Sequence, residues 1–246
     1  MDLMDKIYTL ITGGDKGIGL ETAKELGRAG QHILLGARNQ ARGEAAMKAL
    51  RRAGVIGADL IMLDVTQEAT IQEAARWITA QFGQLNVLIN NAGIALDHHE
   101  SPVTMPLATI RADFEVNFFG AVAVTQAMIP LLRKGAPAKI INVSSEMGSL
   151  TNASDPHSRF YRGNALGYQS SKAALNMATI SFSKALAPDH IAVNAVNPGH
   201  TATDFGGGTA SGQAVTAGAA PIVALSRSDA PHMTGKFIET AGQVPW

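Results

Sequence analysis

Tyr168 and Lys172 stand four residues apart, a spacing that sets both side chains on one face of a helix. A free phenol has a pKa of about 10, too high for easy proton exchange near neutrality. An ammonium held beside it stabilises the phenolate and lowers that value, so the tyrosine becomes an acid and a base for an oxygen-bound proton. Tyr8 and Tyr161 have no lysine at that offset. Two other polar features accompany the pair. Either hydroxyl of Ser144-Ser145 could donate to an oxygen that gains charge, and Asn117 sits within a helical pattern. His98-His99-Glu100 has no spaced third ligand nearby, so it reads as a solvated loop and not as a metal site.

A second group of residues suits a phosphate-bearing ligand. Thr12-Gly13-Gly14-Asp15-Lys16-Gly17-Ile18-Gly19 joins an apolar run to a helical one. Its glycines let the backbone turn tightly and approach a pyrophosphate, and the helix amino end offers free N–H groups. Gly13 and Gly17 are four apart, unlike the usual GxGxxG, but the position after a first strand favours a dinucleotide. NAD-binding proteins end their second strand in an acid that holds the ribose hydroxyls; here it ends Leu35-Gly36-Ala37-Arg38. Arg38 offers a fork of donors to a ribose 2′-phosphate, Lys16 could reach the same group, and Arg42 is a weaker third. The coenzyme reading is therefore NADP(H). Asp64-Val65 ends the third run, where Asp64 accepts from an adenine amino group or, alternatively, Asp64 or Thr66 caps the next helix. Asn90-Asn91-Ala92-Gly93 ends the fourth with small residues that let a cofactor lie close.

The elements that must hold these residues follow from periodicity. Ile7–Thr12, His32–Ala37, Leu60–Val65, Leu85–Asn90, Lys139–Ser144, Ile191–Val196 and Lys236–Thr240 are short apolar runs with little alternation, as in strands buried on both faces. Between them Gly17–Ala29, Ala41–Ala53, Thr70–Phe82, Ile110–Leu132 and Ser170–Leu186 are helical. Strands alternating with helices predict a single-domain Rossmann-type α/β fold, a doubly wound parallel sheet of about seven strands with helices on both faces. Ligands of such folds lie beyond the carboxyl ends of the strands, where the glycine loop, Arg38, Asp64-Val65, Asn90-Asn91-Ala92-Gly93 and Ser144-Ser145 fall. The loops at about 94–106, 148–167 and 200–213 are then expected to surround a substrate. Of these, Thr201–Gly212 with Phe205 is read as a lid and Thr151–Gly167 as the opposing rim.

Composition limits the alternatives. The 246 residues are 46% hydrophobic and carry no linker-like stretch, which suits one domain over 1–246. Lys plus Arg equal Asp plus Glu at 20 each, so no basic field argues for nucleic acid or an anionic membrane. The absence of cysteine excludes disulfides and thiolate catalysis. The acidic start does not resemble a signal peptide, and no apolar stretch is read as approaching the roughly 18 residues of a membrane span. The expectation is a cytoplasmic protein.

Taken together, these residues resemble a short-chain dehydrogenase/reductase, and within that family the carbonyl reductases. The resemblance runs from Thr12-Gly13 through Asn90-Asn91-Ala92-Gly93, Asn117-Phe118-Phe119-Gly120, Ser145, Tyr168 and Lys172 to Pro198-Gly199 with Thr203. Ser145 and Gly148 fit the family's Ser-x-x-Gly, which favours Ser145 over Ser144 as the oxyanion donor. The chain departs from the common pattern in the 23 positions between Ser145 and Tyr168, an insertion of about ten residues over Thr151–Gly167.

The resemblance implies a catalytic set of Asn117, Ser145, Tyr168 and Lys172. It further implies that Lys172 holds the nicotinamide ribose, that Asn117 holds a water leading from Lys172 to solvent, and that Pro198-Gly199 with Thr201 and Thr203 meets the nicotinamide carboxamide. The implied activity is NADPH-dependent reduction of a small-molecule aldehyde or ketone to an alcohol. The rivals are an alcohol or hydroxysteroid dehydrogenase running oxidatively, an acyl-carrier reductase, and a non-catalytic NADP(H) sensor. A homodimer or homotetramer is expected from the outer faces of Ile110–Leu132 and Ser170–Leu186, unless the insertion covers them.

Overall fold

Seven of the apolar runs pair side by side in one parallel sheet. In the computed structural model, which describes residues 6–97, 100–207, 211–228 and 233–246, the first half runs β1 (Tyr8–Ile11), α1 (Gly17–Arg28), β2 (His32–Ala37), α2 (Gln40–Arg52), β3 (Ala58–Met62), α3 (Glu68–Phe82) and β4 (Val87–Asn90). The second half contains α4 (Leu107–Phe114), α5 (Ala121–Lys134), β5 (Ala138–Val143), α6 (Leu150–Ser154), α7 (Leu166–Leu186), β6 (Ile191–Val196), α8 (Val215–Arg227), β7 (Phe237–Glu239) and β8 (Gly242–Gln243). The strand order is β3-β2-β1-β4-β5-β6-β7-β8, all parallel except β8, which runs antiparallel to β7. The order reverses between β1 and β4, and a crevice opens there at the carboxyl ends of the strands.

Successive residues of a strand feed opposite layers, and both layers are apolar. Leu34 joins one core cluster with Leu10, Leu88 and Met128, while Ile33 and Leu35 join the other with Leu26, Leu50 and Ile222. Burial on both faces is why polar alternation is missing from these strands.

The structure departs from the sequence reading in several elements. The third strand lies at Ala58–Met62, two residues earlier than Leu60–Val65, because β2 pairs with it from Ile33↔Ala58 to Ala37↔Met62. Asp64 and Val65 therefore lie past the pairing. The two-residue β8 and the helix α8 were not anticipated; α8 is rich in small residues and contains Pro221, which obscure its buried stripe of Ala219, Ile222 and Leu225.

The run read as one helix, Ile110–Leu132, is three pieces: α4, a π-helical turn over Glu115–Gly120, and α5. Contrary to the expectation that no apolar stretch was long enough, Leu107–Lys134 has the length and composition to cross a membrane. Its Val124, Met128, Leu131 and Leu132 are buried in the protein's own core. Polar neighbours such as Asp113 and Asn117 interrupt the apolar run, which hides its extent from a scan for uninterrupted apolar residues.

Candidate active site

The floor of the crevice is built by two loops that lock together. Gly13 and Gly17 have φ of +60° and +53°, left-handed values that a side chain resists. A Cβ on Gly13 would lie 3.0 Å from Ala92 Cα, so the loop after β1 lies directly against the loop after β4. Asn91 Nδ2 donates to the carbonyls of Thr12 and Gly13 at 2.9 Å each, and the Asn91 and Ala92 amides both donate to Thr12 Oγ1 at 3.0 Å. A Cβ on Gly19 would fall 2.5 Å from Asn91 Nδ2. Lys16, at the N-cap of α1, gives the helix no side-chain cap, so the amides around Gly17, Ile18 and Gly19 face the crevice without competition from one. This cradle fits a pyrophosphate, and Gly93 continues it toward Asn117 and Lys172.

At the adenosine end, Arg38, Lys16 and Arg42 all line the same cleft. Lys16 Nζ lies 2.6 Å from Asp204 and Arg42 Nε 3.1 Å from Asp15, whereas the exposed Arg38 makes no ion pair among the described residues. Asp64 Oδ1 accepts from the amide and hydroxyl of Thr66, at 3.0 and 2.8 Å, which closes a turn ahead of α3. The N-cap of α3 is Gln67, without a side-chain bond, so neither Asp64 nor Thr66 caps the helix as the alternative reading held. Val65 is buried and lines the cleft beside Asp64.

The candidate catalytic groups come together around α7. Tyr168 and Lys172 are both buried on its inner face, and Lys172 Nζ donates to the Val143 carbonyl at 2.8 Å. That ammonium lies 5.7 Å from the centre of the Tyr168 ring. The two serines separate cleanly. Ser144 donates to Asn176 Oδ1 at 2.6 Å inside the core, while Ser145 lines the cleft with Tyr168 and accepts from the Met147 amide. Asn117 lies in the π-helical turn and is gripped at both ends. Its Oδ1 accepts from the Ile94 amide and its Nδ2 donates to the Ile94 carbonyl, each at 2.8 Å, with Ser171 Oγ at 3.0 Å. Such a wide turn often marks a functional position in a helix.

The expectation of a lowered phenol counted Lys172 together with the positive nicotinamide of an oxidised coenzyme; the chain's own groups alone raise it. Burial pushes Tyr168 up to about 12; the Ser145 hydrogen bond pulls it back, and the carboxylates of Asp113 and Asp97 add to the rise. Burial pushes Lys172 down to about 8, opposed by Asp113. With the ring almost fully enclosed, desolvation outweighs neighbouring charge.

Above the cluster is a cleft of about 710 Å³. Phe205 sets its ring edge-on to Tyr168 with centroids 5.7 Å apart. On the opposite rim, Arg159 pairs with Glu146 at 2.6 Å and lies over the Phe160 ring at 4.7 Å. The base of the insertion is tied down where the Thr151 amide and hydroxyl donate to the Trp246 carbonyl. The segment after β6 returns to the glycine loop. Gly199 turns at φ +72°, Thr201 Oγ1 donates to its carbonyl, and Thr203 Cγ2 would lie 3.4 Å from a Cβ on Gly17. Pro198 lines the cleft with them. His98 and His99, and part of the lid at 208–210, lie outside the described residues.

One cleft is lined by Gly13, Lys16, Arg38, Asp64, Asn91, Ser145, Tyr168, Lys172 and Pro198 among the residues singled out from sequence, and Asn117 is held just behind it by Ile94. Sequence reasoning missed Asp97, Asp113, Arg159 and Phe160. The latter pair had a signal in the insertion that carries them, but Asp97 lies 71 residues before Tyr168, and Asp97 and Asp113 reach the site only where the loop after β4 and α4 meet the start of α7.

Comparison with known proteins agrees with this geometry. The family model described as short chain dehydrogenase matches residues 8–214. The short-chain dehydrogenase anuI of Penicillium roqueforti is 35% identical over 97% of this chain and 96% of its own length. The short-chain dehydrogenase/reductase tropE of Talaromyces stipitatus is 32% identical over 84% and 82%. Among solved structures, NADPH-bound carbonyl reductase from chicken fatty liver superposes with a TM-score of 0.86 at 28% identity, covering 98% of this chain and 100% of that one. Salutaridine reductase from Papaver somniferum does so at 0.81 and 26%, covering 94% and 99%. The chain belongs to the short-chain dehydrogenase family, whose members are oxidoreductases that bind a nicotinamide cofactor and act on small molecules.

Proposed function

We propose that this chain reduces aldehyde or ketone carbonyls with NADPH, Tyr168 giving the proton. The observation that carries the reading is that Ser145, Tyr168 and Lys172 line one cleft, with the Lys172 ammonium 5.7 Å from the Tyr168 ring. The glycine cradle would hold the pyrophosphate of the coenzyme, which when bound would supply the hydride for the carbonyl carbon. Ser145 donates to the carbonyl oxygen as negative charge develops there. Tyr168 transfers its O–H proton to that oxygen, which completes the alcohol, and the Lys172 ammonium steadies the phenolate left behind. Asn117 holds the Ile94 backbone beside Lys172. Phe205 and the Arg159–Phe160 rim bound the substrate space, with the segment around Phe205 as lid.

The protonation state favours the reductive direction. A phenol pushed up to about 12 is fully protonated at neutral pH, the form that reduction consumes. Alcohol oxidation needs the phenolate, so its rate should climb with pH from 7 to 10 while reduction does not. A panel of aliphatic and aromatic carbonyls, followed by NADPH absorbance and repeated with NADH and in reverse, tests the reading. Turnover of none of them, with tight NADPH binding, would replace it by the sensor alternative. Association into a homodimer or homotetramer belongs to the same reading: Phe119 on the long helix and Met177 on α7 are exposed apolar side chains. Sedimentation showing only monomer would remove that part.

A further inference from the structure

Two carboxylic acids lie buried beside the reacting pair and have no part in the mechanism above. Asp113, in the last turn of α4, is fully buried. Its Oδ1 accepts from the Leu96 amide at 3.1 Å, and its Oδ2 has no hydrogen-bond partner among the described residues. Asp97 is also buried; its Oδ2 accepts from the Tyr168 amide at 3.1 Å, and its Oδ1 likewise lacks a partner. Helix α7 starts at Leu166 with no side-chain cap from Ala165, so Asp97 caps it from 71 residues away. Asp113 presses on the same turn. A Cβ at Gly167 would lie 2.7 Å from its Oδ2, so the carboxylate fits only against a glycine.

Lys172 has the complementary need. Its side chain is buried, and the hydrogen bond it makes goes to a neutral carbonyl, that of Val143. No carboxylate pairs with it directly among the described residues. An enclosed ammonium with one uncharged acceptor favours losing its proton. Asp113 is the acid on the facing helix with an oxygen to spare.

We propose that Asp113 is a positioning residue for the reaction, its buried carboxylate serving as the counter-charge that keeps Lys172 an ammonium, while Asp97 fixes the start of the helix that carries Tyr168 and Lys172. The inference rests on the assignment of Tyr168 and Lys172 made above. Among the described residues, the ionisable groups facing Asp113 are Asp97 from the loop after β4 and Tyr168 and Lys172 from α7; Arg111 and Glu115 on its own long helix are exposed. Burial pushes Asp113 up to about 6, the Leu96 amide and Lys172 opposing and Asp97 adding, and Lys172 stands at about 8. Between those values Asp113 is ionised and Lys172 is charged. Below the window Asp113 gains a proton, and above it Lys172 loses one.

The test reads Lys172 directly in the coenzyme-free protein. The chain is labelled with carbon-13 at lysine Cε, and the Lys172 resonance is assigned by its disappearance in Lys172→Ala. Its titration midpoint should lie near 8, and in Asp113→Asn it should fall by on the order of one pH unit. Asp97→Asn should move it much less. The alkaline limb of kcat/KM for carbonyl reduction should shift to lower pH in Asp113→Asn, in step with the resonance. Should Asp113→Asn not fold, Asp113→Ser keeps an acceptor for the Leu96 amide without the charge. A midpoint unmoved or raised in a folded Asp113 variant overturns the proposal. Failure of the catalytic assignment shows separately, as full reductase activity in Tyr168→Phe with the Lys172 titration intact.

Discussion

Tyr168→Phe should lower the turnover of carbonyl reduction by at least roughly 10²–10⁴, the loss expected on removing a general acid. The change deletes one oxygen and keeps the ring, so the edge-on contact with Phe205 and the packing of α7 survive. NADPH affinity, read by fluorescence titration, should hardly change. Lys172→Ala should differ by weakening both turnover and coenzyme binding, since that ammonium is assigned to both. Retained activity in Tyr168→Phe would end the proposed mechanism, whereas a loss matched by an equal loss of coenzyme affinity would make Tyr168 a binding residue.

Much of this site was legible because its parts are local in sequence. Five positions define the Tyr168–Lys172 face, eight define the glycine loop, and strand ends are followed closely by candidate site residues. What the sequence left open depends on contacts between distant segments. Ser144 and Ser145 are indistinguishable in a strand end until Asn176, 32 residues away, takes the first into the core. A lysine four residues from Tyr168 is visible in the sequence, but enclosure is a property of the assembled fold, and among the chain's own groups it pushes the phenol upward. Asp97 and Asp113 look like any loop acid and any helix acid until α4 packs on α7. Helix α8 and strand β8 carried too little apolar contrast or length to be read at all.

Arg38→Asp should narrow or reverse the preference for NADPH over NADH. Charge-assisted hydrogen bonds are worth roughly 1.5–3 kcal/mol each, so losing a bidentate contact costs a few kcal/mol, on the order of a hundredfold in kcat/KM. Arg38 is the sensitive position of the three bases. Lys16 is engaged by Asp204 and Arg42 by Asp15, while Arg38 is exposed at the end of β2 and makes no ion pair among the described residues. The substituted aspartate also stands where NAD-binding relatives of the fold hold the ribose hydroxyls, so NADH should gain as NADPH loses. Steady-state kinetics with both coenzymes decide the matter. Equal catalytic efficiency with the two in the unmutated enzyme would remove the basis for the coenzyme assignment.

The π-helical turn at Glu115–Gly120 also bears on how this chain can vary. Residues along an α-helix advance about 100° each around its axis, so a turn one residue wider than usual offsets all that follows by the same angle. On one side of the offset, α4 aims Asp113 at the start of α7; on the other, α5 aims Val124, Met128 and Leu131 at the sheet. Exchanging the half-exposed Phe119 alters one surface contact. Removing one residue of the turn would swing one face or the other off its partner. Over the 28 residues from Leu107 to Lys134 the wide turn sets the relative phase of two binding faces, and phase depends on the number of residues more than on their kind.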